Sequence, residues 1–241
     1  KISIQSADGK RPLGLLANYS MHYFGARGGF SADYYGKFCQ LMEEKIGKTG
    51  DPEKPFVAAM SQGTSGDLQW MDYSKPRRSD YSIDQYTSEL AEIALNAYQK
   101  IIYGMGTPQL EMAQTILELN RRLPTPERLA WAEAINAKRG ERRPANRPEI
   151  YAEQALWIEA HPVEELILQV ICIGDLAITA IPNEVYGITG IKLKAQSPFE
   201  YTFNMSLANG AAGYIPPPEQ HFLGGYTTWP ARAAGLEVYS F

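Results

Sequence analysis

The sequence contains few of the side chains that most often bind metals or form covalent cross-links. It has two cysteines and three histidines among 241 residues. Cys39 and Cys172 stand in apolar contexts typical of a helix and a strand, where a small buried side chain is a better interpretation than a disulfide or a ligand pair. The cysteines therefore predict neither a disulfide framework nor a metal site, and the redox compartment stays open.

Long hydrophobic runs and an excess of one charge are also absent. A membrane-spanning helix needs about 18 apolar residues, and the longest apolar run, 166–181, is interrupted by Gly174 and Asp175. The formal net charge of −4 provides no general attraction to a phosphate backbone. The one dense basic stretch, 138–147, contains Gly and Pro and is predicted to be a solvated loop between helices. We therefore expect no transmembrane segment and no nucleic-acid partner.

Familiar catalytic motifs are missing as well. The sequence has no P-loop, no GxGxxG, no HExxH, no CxxC and no GxSxG, which removes support for the common enzyme classes that use them. What remains is a dispersed set of side chains able to bind a metal, most of them at the ends of predicted strands: His22, Asp67, Glu184, Tyr214 and His221.

Apolar residues make up 44% of the chain, enough for a buried core in one large or two small domains. Short apolar runs predict strands, and apolar residues at helical spacing predict helices. Gly174 and Asp175 separate two apolar runs and predict a tight hairpin. The predicted strands are 13–20, 56–61, 110–119, 166–173, 176–181 and 201–207, and the predicted helices are 31–46 (capped by Ser31), 83–102, 126–138, 148–160 and 185–195. This pattern predicts an α/β fold with mixed sheets flanked by helices.

Four segments occur in an order that resembles the neutral/alkaline non-lysosomal ceramidases and their bacterial relatives. The segments are NYSMHY (18–23), AMSQGTSGDLQW (59–70), GDLAITAIPNEVYGITG (174–190) and NGAAGYIPPPEQHFLGGY (209–226). The resemblance covers residues 13–235. It implies a fold similar to the catalytic domain of the ceramidases, with residues 1–241 forming a single domain of that kind.

The resemblance implies a single zinc ion. Its ligands would include His22 at a strand end, Glu184 in a Pro-Asn-Glu turn and Tyr214 in a Gly-Tyr loop. Tyr226, twelve residues after Tyr214, matches the family tyrosine that polarises the scissile carbonyl. Zinc with nitrogen and oxygen ligands lowers the pKa of a bound water to about 7, so that hydroxide can attack a carbonyl at neutral pH.

Three residues of the 59–70 segment receive supporting roles. Asp67 is expected to orient His22 through the second ring nitrogen. Ser65 and Gln69 are expected to contact substrate, and Gln69 stands where the family has a serine. Glutamine can hydrogen-bond an amide or a sugar but cannot act as a nucleophile. This difference leaves open whether ceramide itself is the substrate.

One ligand of the family has no counterpart here. The first metal-binding histidine of the family lies in an earlier strand, and neither His161 nor His221 occupies an equivalent place. We expect the N-terminal part of the family domain to be missing from this chain, so that an upstream segment of the same protein completes the metal site. The family also implies an extracellular or periplasmic location.

The sequence therefore predicts a zinc-dependent hydrolase that cleaves an amide bond of an N-acylated, lipid-like substrate. The alternative is an inactive relative that binds a lipid headgroup or a carbohydrate in the same cleft, and ester hydrolysis would use the same residues. Each residue also has a structural alternative. Glu184 could begin the following helix, Asp67 could be a turn residue, His22 could be a structural hydrogen-bonding group, and either tyrosine could simply pack in the core.

Overall fold

The computed structural model describes residues 1–25, 29–47, 53–76, 81–104 and 107–238. The chain forms two compact units. Unit 1 comprises Lys1–Gly63 and Leu68–Pro108, and unit 2 comprises Thr64–Asp67 and Gln109–Phe241. Both contain a sheet and helices, so the predicted mixed α/β class is confirmed. Among the described residues, no helix combines the length and the apolar character of a membrane span.

Unit 1 is built on a three-stranded sheet in the order β1-β2-β3. β1 (Ile2–Gln5) is antiparallel to β2 (Pro12–Tyr19), and β2 is parallel to β3 (Val57–Gln62). The helices α1 (Asp33–Ile46) and α2 (Ile83–Tyr98) complete the unit. The main core combines one face of the sheet with both helices: Leu15, Ala17, Phe38, Met42, Ile46, Phe56, Ala58 and Ala91.

The start of α1 differs in detail from the prediction. Ser31 is not the cap, because the helix begins one residue later, after Ala32, and the Ser31 hydroxyl accepts the Asp33 N–H at 3.0 Å. The Asp33 carboxylate accepts the backbone N–H groups of Phe24 and Gly25 at 2.7 and 3.0 Å. Asp33 thereby ties the loop that follows β2 to the first turn of α1.

Unit 2 contains a four-stranded sheet in the order β4-β5-β6-β8. Its strands are β4 (Leu110–Asn120), β5 (Val163–Ile173), β6 (Leu176–Ile181) and β8 (Tyr201–Ser206). β6 runs parallel to β8, and the other pairs are antiparallel. The predicted β5–β6 hairpin is confirmed, with Gly174 at a φ of +55° in the turn.

Two antiparallel helices are inserted between β4 and β5. α3 (Pro126–Arg139) is capped by the Thr125 side chain, and α4 (Arg147–Ala160) is capped by Asn146. Each helix has a proline in its first turn, where the missing N–H costs nothing. Alanines let the two helices approach closely: Ala132, Ala152 and Ala155.

The remaining elements of unit 2 follow β6 in the sequence. β7 (Glu184–Val185) precedes α5 (Gly187–Gln196), and β9 (Tyr214–Ile215) precedes α6 (Pro218–Leu223). The predicted helix at 185–195 therefore begins two residues late, because Glu184–Val185 pairs with β9 instead of starting the helix. Short 3-10 turns follow at Tyr226–Thr228 and Arg232–Ala234.

Arg122, two residues after β4, makes several of the hydrogen bonds that hold this C-terminal segment in place. The Arg122 guanidinium donates to the carbonyl oxygens of Leu236 and Thr228, each at 2.9 Å, and to that of Ala234. Its backbone N–H donates to Gly235 O at 2.7 Å. The planar guanidinium group carries five N–H donors, so one arginine can bind several carbonyl oxygens at once. Arg122 thus fixes the turn that carries Tyr226.

Replacing Arg122 with lysine tests this role at constant charge. Lysine offers one compact ammonium group, which cannot reach three separate carbonyls, so buried acceptors lose their donors. We expect Arg122→Lys to lower the free energy of unfolding by about 2 kcal/mol in denaturant titrations. The matched exchange at exposed Arg143 should change it by less than about 0.5 kcal/mol. Equal effects of the two exchanges would contradict the role given to Arg122.

Candidate functional site

Glu184 and Tyr214 are direct neighbours in the structure. They lie opposite each other in the parallel pairing of β7 with β9, and Val185 lies opposite Ile215. Val185 and Ile215 are buried, at 2% and 7% exposure. Because successive side chains of a strand point to opposite faces, Glu184 and Tyr214 share the other, half-buried face. Two of the three predicted metal ligands are therefore adjacent.

Tyr226 joins the same cluster. Its hydroxyl is 3.1 Å from the Tyr214 hydroxyl, and the two rings meet edge to face with their centroids 5.5 Å apart. Tyr226 is 58% exposed, so its hydroxyl can meet a molecule that arrives from solvent. Glu184, Tyr214 and Tyr226 thus form one continuous polar group within unit 2.

The Tyr214 phenol is held in its neutral form. Burial is the largest cause of a pKa raised well above 10, followed by the hydrogen bonds that Tyr214 makes to Tyr226 and Glu184. The negative charge of Glu184 acts in the same direction, since a second anion beside it is unfavourable. A cation placed between these two oxygens would reverse that last effect.

The backbone around β7 and β9 is closely constrained. Glu184 N donates to Gly213 O at 2.9 Å, and the buried Asn183 side chain donates to the same oxygen at 3.2 Å. Gly213 has a φ of +81°, and an added Cβ would lie 2.5 Å from Ala233 O. Only glycine suits both the backbone angle and the available space, so the residue before Tyr214 is fixed by its surroundings.

The loop at 64–67 supports β7 from its other side. Gly66 N donates to Val185 O at 2.8 Å, and a Cβ on Gly66 would lie 2.6 Å from Glu184 O. Asp67 Oδ1 accepts the Gly187 N–H at 2.7 Å, which places a carboxylate at the N-terminus of α5. The structure thus gives Asp67 a structural partner, and its predicted role in orienting His22 stays a prediction.

The other predicted site residues are distributed between the two units. His22 and Gln69 belong to unit 1, where His22 N donates to Leu68 O at 3.2 Å and the ring Nδ1 is shielded from solvent. Gln69 is exposed. Ser65 belongs to unit 2 and is only 1% exposed. The roles of these three residues stay predictions.

His221, a metal-capable residue that the sequence left without a role, lies in α6. Burial and the nearby positive charge of Arg122 lower its pKa. Two further residues were missed: Arg122, which holds the turn of Tyr226, and Asn183, which holds the loop before Tyr214. Asn183 directly precedes Glu184 at the end of a strand, and that position could have drawn attention to it.

The fold resembles solved ceramidase structures. The neutral ceramidase from Pseudomonas aeruginosa superposes with a TM-score of 0.58 at 17% identity, over 93% of this chain and 41% of the other. A structure described as ceramidase complexed with C2 superposes with a TM-score of 0.63 at 14% identity, over 98% of this chain and 44% of the other. The chain has the fold of part of a ceramidase. No family model matches the sequence, and a comparison with curated proteins finds no match either.

The ceramidase-like fold confirms the structural part of the resemblance drawn from the four motifs. The chain spans less than half the length of these two ceramidases. At such low sequence identity, structural similarity shows the fold alone, and any catalytic chemistry must be inferred from the residues of this chain.

The donor atoms of the cluster fit part of a zinc site. Within the described residues, no group of three or more His, Cys, Asp or Glu side chains could hold a metal. Glu184 and Tyr214 nevertheless place a carboxylate and a phenol oxygen side by side. A catalytic zinc usually takes three protein ligands, so these two residues fit two positions, and at least one further ligand is required.

The close approach of Gly66 to Glu184 provides a test of the constrained backbone. A methyl group at Gly66 would force β7 to move, and overpacking of this kind typically costs about 1–3 kcal/mol. We expect Gly66→Ala to lower the free energy of unfolding by that amount. Gly104→Ala, where an added Cβ meets nothing within 4 Å, is the matched control and should have little effect. A fully stable Gly66→Ala protein would show that β7 is not confined as described.

Proposed function

We propose that this chain contributes part of a zinc-dependent hydrolase centre that cleaves the amide bond of an N-acylated, lipid-like substrate. The observation that supports it most is the group of Glu184, Tyr214 and Tyr226, with Glu184 opposite Tyr214 in β7–β9 and the two hydroxyls 3.1 Å apart. The ceramidase-like fold provides the context for an amide substrate.

In this proposal Glu184 and Tyr214 are two of the zinc ligands, and His22 is the third. A further ligand, for which the ceramidase resemblance implies a second histidine, would complete the set. When bound, zinc supplies a Lewis acid and lowers the pKa of water toward neutrality. Glu184 contributes a full negative charge, and its partner Tyr214 must lose its proton to bind the cation well.

Tyr226 is the residue of the chain that we assign to catalysis. Its side chain is 58% exposed, and its hydroxyl would donate a hydrogen bond to the substrate carbonyl oxygen as that oxygen gains negative charge. The edge-to-face contact with Tyr214 limits the positions of its ring. Such preorganisation lets the donor act without rearrangement in the transition state.

Substrate contacts outside the cluster are assigned to Gln69 and Ser65. The exposed Gln69 amide can both donate to and accept from an amide or a sugar hydroxyl. Ser65 would contact substrate only after its enclosing neighbours move, because its side chain is buried. We also propose that the protein works outside the cytosol, in the extracellular space or the periplasm.

Zinc binding by the full-length protein tests the ligand set without measuring turnover. Zinc content should fall at least tenfold in Glu184→Gln, Tyr214→Phe and His22→Ala, because each variant removes one ligand. Zinc should also produce tyrosinate absorbance that disappears in Tyr214→Phe. Glu118→Gln, an exposed exchange on β4, is the control and should retain zinc.

The His22→Ala variant also separates the hydrolase from a binding protein. Loss of both zinc and acyl release is expected for the hydrolase. Zinc-free wild-type protein that binds a lipid headgroup or a carbohydrate, with an affinity unchanged in His22→Ala, would contradict the proposal and favour the binding module.

The role of Tyr226 is tested by removing one oxygen atom. We expect Tyr226→Phe to lower kcat for acyl release from an N-acylated substrate by about a hundredfold, since the oxyanion loses a donor. Zinc content should not change. Tyr73→Phe, at a tyrosine that is 74% exposed, is the control and should keep full activity. An unchanged kcat in Tyr226→Phe would remove the hydroxyl from the mechanism.

A further inference from the structure

Unit 2 contains a cavity between the helical hairpin of α3 and α4 and the turn after Tyr226. The cavity has a volume of about 720 Å³, within the range of about 300–1,000 Å³ typical of small-molecule sites. Its apolar wall includes Trp131 from α3, Tyr151 from α4 and Trp229. Tyr151 and Trp229 meet edge to face with their ring centroids 5.7 Å apart. These aromatic rings form a broad surface for an apolar ligand.

The charged residues of the cavity are all of one sign. Arg122, Arg128 and Arg147 line it, and none of the described residues along its wall is acidic. The Arg122 guanidinium donates only to neutral carbonyls in the hydrogen bonds described above, so those bonds leave its charge uncompensated. Arg128 lies over the Trp131 ring, 3.9 Å from its centroid. The arrangement therefore combines apolar surface with positive charge.

Two arginines elsewhere in the helical hairpin are paired with carboxylates. Arg139 contacts Glu153 at 2.8 Å, and Arg142 contacts Glu149 at 2.6 Å. Neither glutamate lines the cavity. The cavity itself is lined by three arginines and by neither glutamate, so its charge complements an anion.

We propose that this cavity binds the anion of a fatty acid. Its carboxylate would pair with Arg128 and Arg147, because the planar fork of arginine matches the two oxygens of a carboxylate. Its alkyl chain would lie against Trp131 and Trp229. A free inorganic anion would make no apolar contact with the aromatic rings. A cationic amphiphile would be repelled by the three arginines.

Neither Tyr214 nor Tyr226 lines this cavity, and fatty-acid binding there does not depend on the proposed function. The cavity and the proposed hydrolase centre are nevertheless connected in two ways, by the chemistry of the product and by their closeness in the sequence. Hydrolysis of an N-acyl bond releases an anion of this class, and Trp229 N donates to Tyr226 O at 3.3 Å. Binding can be measured without any turnover, so failure of one proposal leaves the other testable.

Calorimetric titration of the full-length protein with decanoate, below its micellar concentration, tests the site. We expect decanoate to bind and decyltrimethylammonium, of equal chain length and opposite charge, not to bind. The double variant Arg128→Gln/Arg147→Gln should lose at least about tenfold in affinity, as expected for loss of charge-assisted hydrogen bonds. Arg142→Gln/Arg143→Gln removes two charges from the loop between the helices and should bind normally. Tyr226→Phe should also bind normally.

A second measurement locates the alkyl chain. Decanoate brominated on its chain should quench the fluorescence of the wild-type protein. The quenching should largely disappear in Trp131→Phe/Trp229→Phe and persist in Trp70→Phe, whose tryptophan belongs to unit 1. Equal binding of the two amphiphiles, full decanoate affinity in the Arg128/Arg147 variant, or quenching that survives in the Trp131/Trp229 variant would each overturn the proposal.

Discussion

The pairing of β7 with β9 brings the candidate site together. Each strand is only two residues long, yet the pairing sets Glu184 opposite Tyr214 and turns Val185 and Ile215 into the core. So short a pairing has little stability of its own. It persists because the flanking backbone is fixed by Gly66 on one side and Gly213 on the other, and neither position has space for a side chain.

The same constraint holds two ionisable side chains together, Glu184 and Tyr214. A carboxylate and a phenol are held side by side in a half-buried place, and the phenol responds with a raised pKa. Side chains with strongly shifted pKa values are concentrated at functional sites, and structural hydrogen-bond networks also produce them. In the proposed zinc site, a divalent cation would favour the deprotonated phenol and so oppose the effects that raise its pKa.

The parts of the fold that the sequence predicted are those with a strong local signal. The β5–β6 hairpin follows from two apolar runs around Gly174 and Asp175, and α3 begins at the Pro126 that the sequence marks. β7 and β9 gave no such signal, because two residues cannot display a period. The helix predicted to begin at Val185 therefore begins at Gly187, after a strand whose partner lies far along the chain.

The candidate site shows a similar division. Glu184, Tyr214 and Tyr226 were grouped through a family resemblance, and the structure brings them together. The partner that the structure gives Asp67, Gly187 N, could not be foreseen, because that contact depends on the tertiary path of the chain. The partners of Arg122 could not be predicted either, because they are backbone carbonyl oxygens, which every residue has.

Anomalous diffraction from zinc-loaded crystals of the full-length protein would show whether Glu184 and Tyr214 bind the same zinc ion. We expect a zinc peak about 2.0–2.2 Å from both a Glu184 carboxylate oxygen and the Tyr214 phenol oxygen. A zinc ion bound elsewhere, with Glu184 and Tyr214 still hydrogen-bonded to each other, would contradict it.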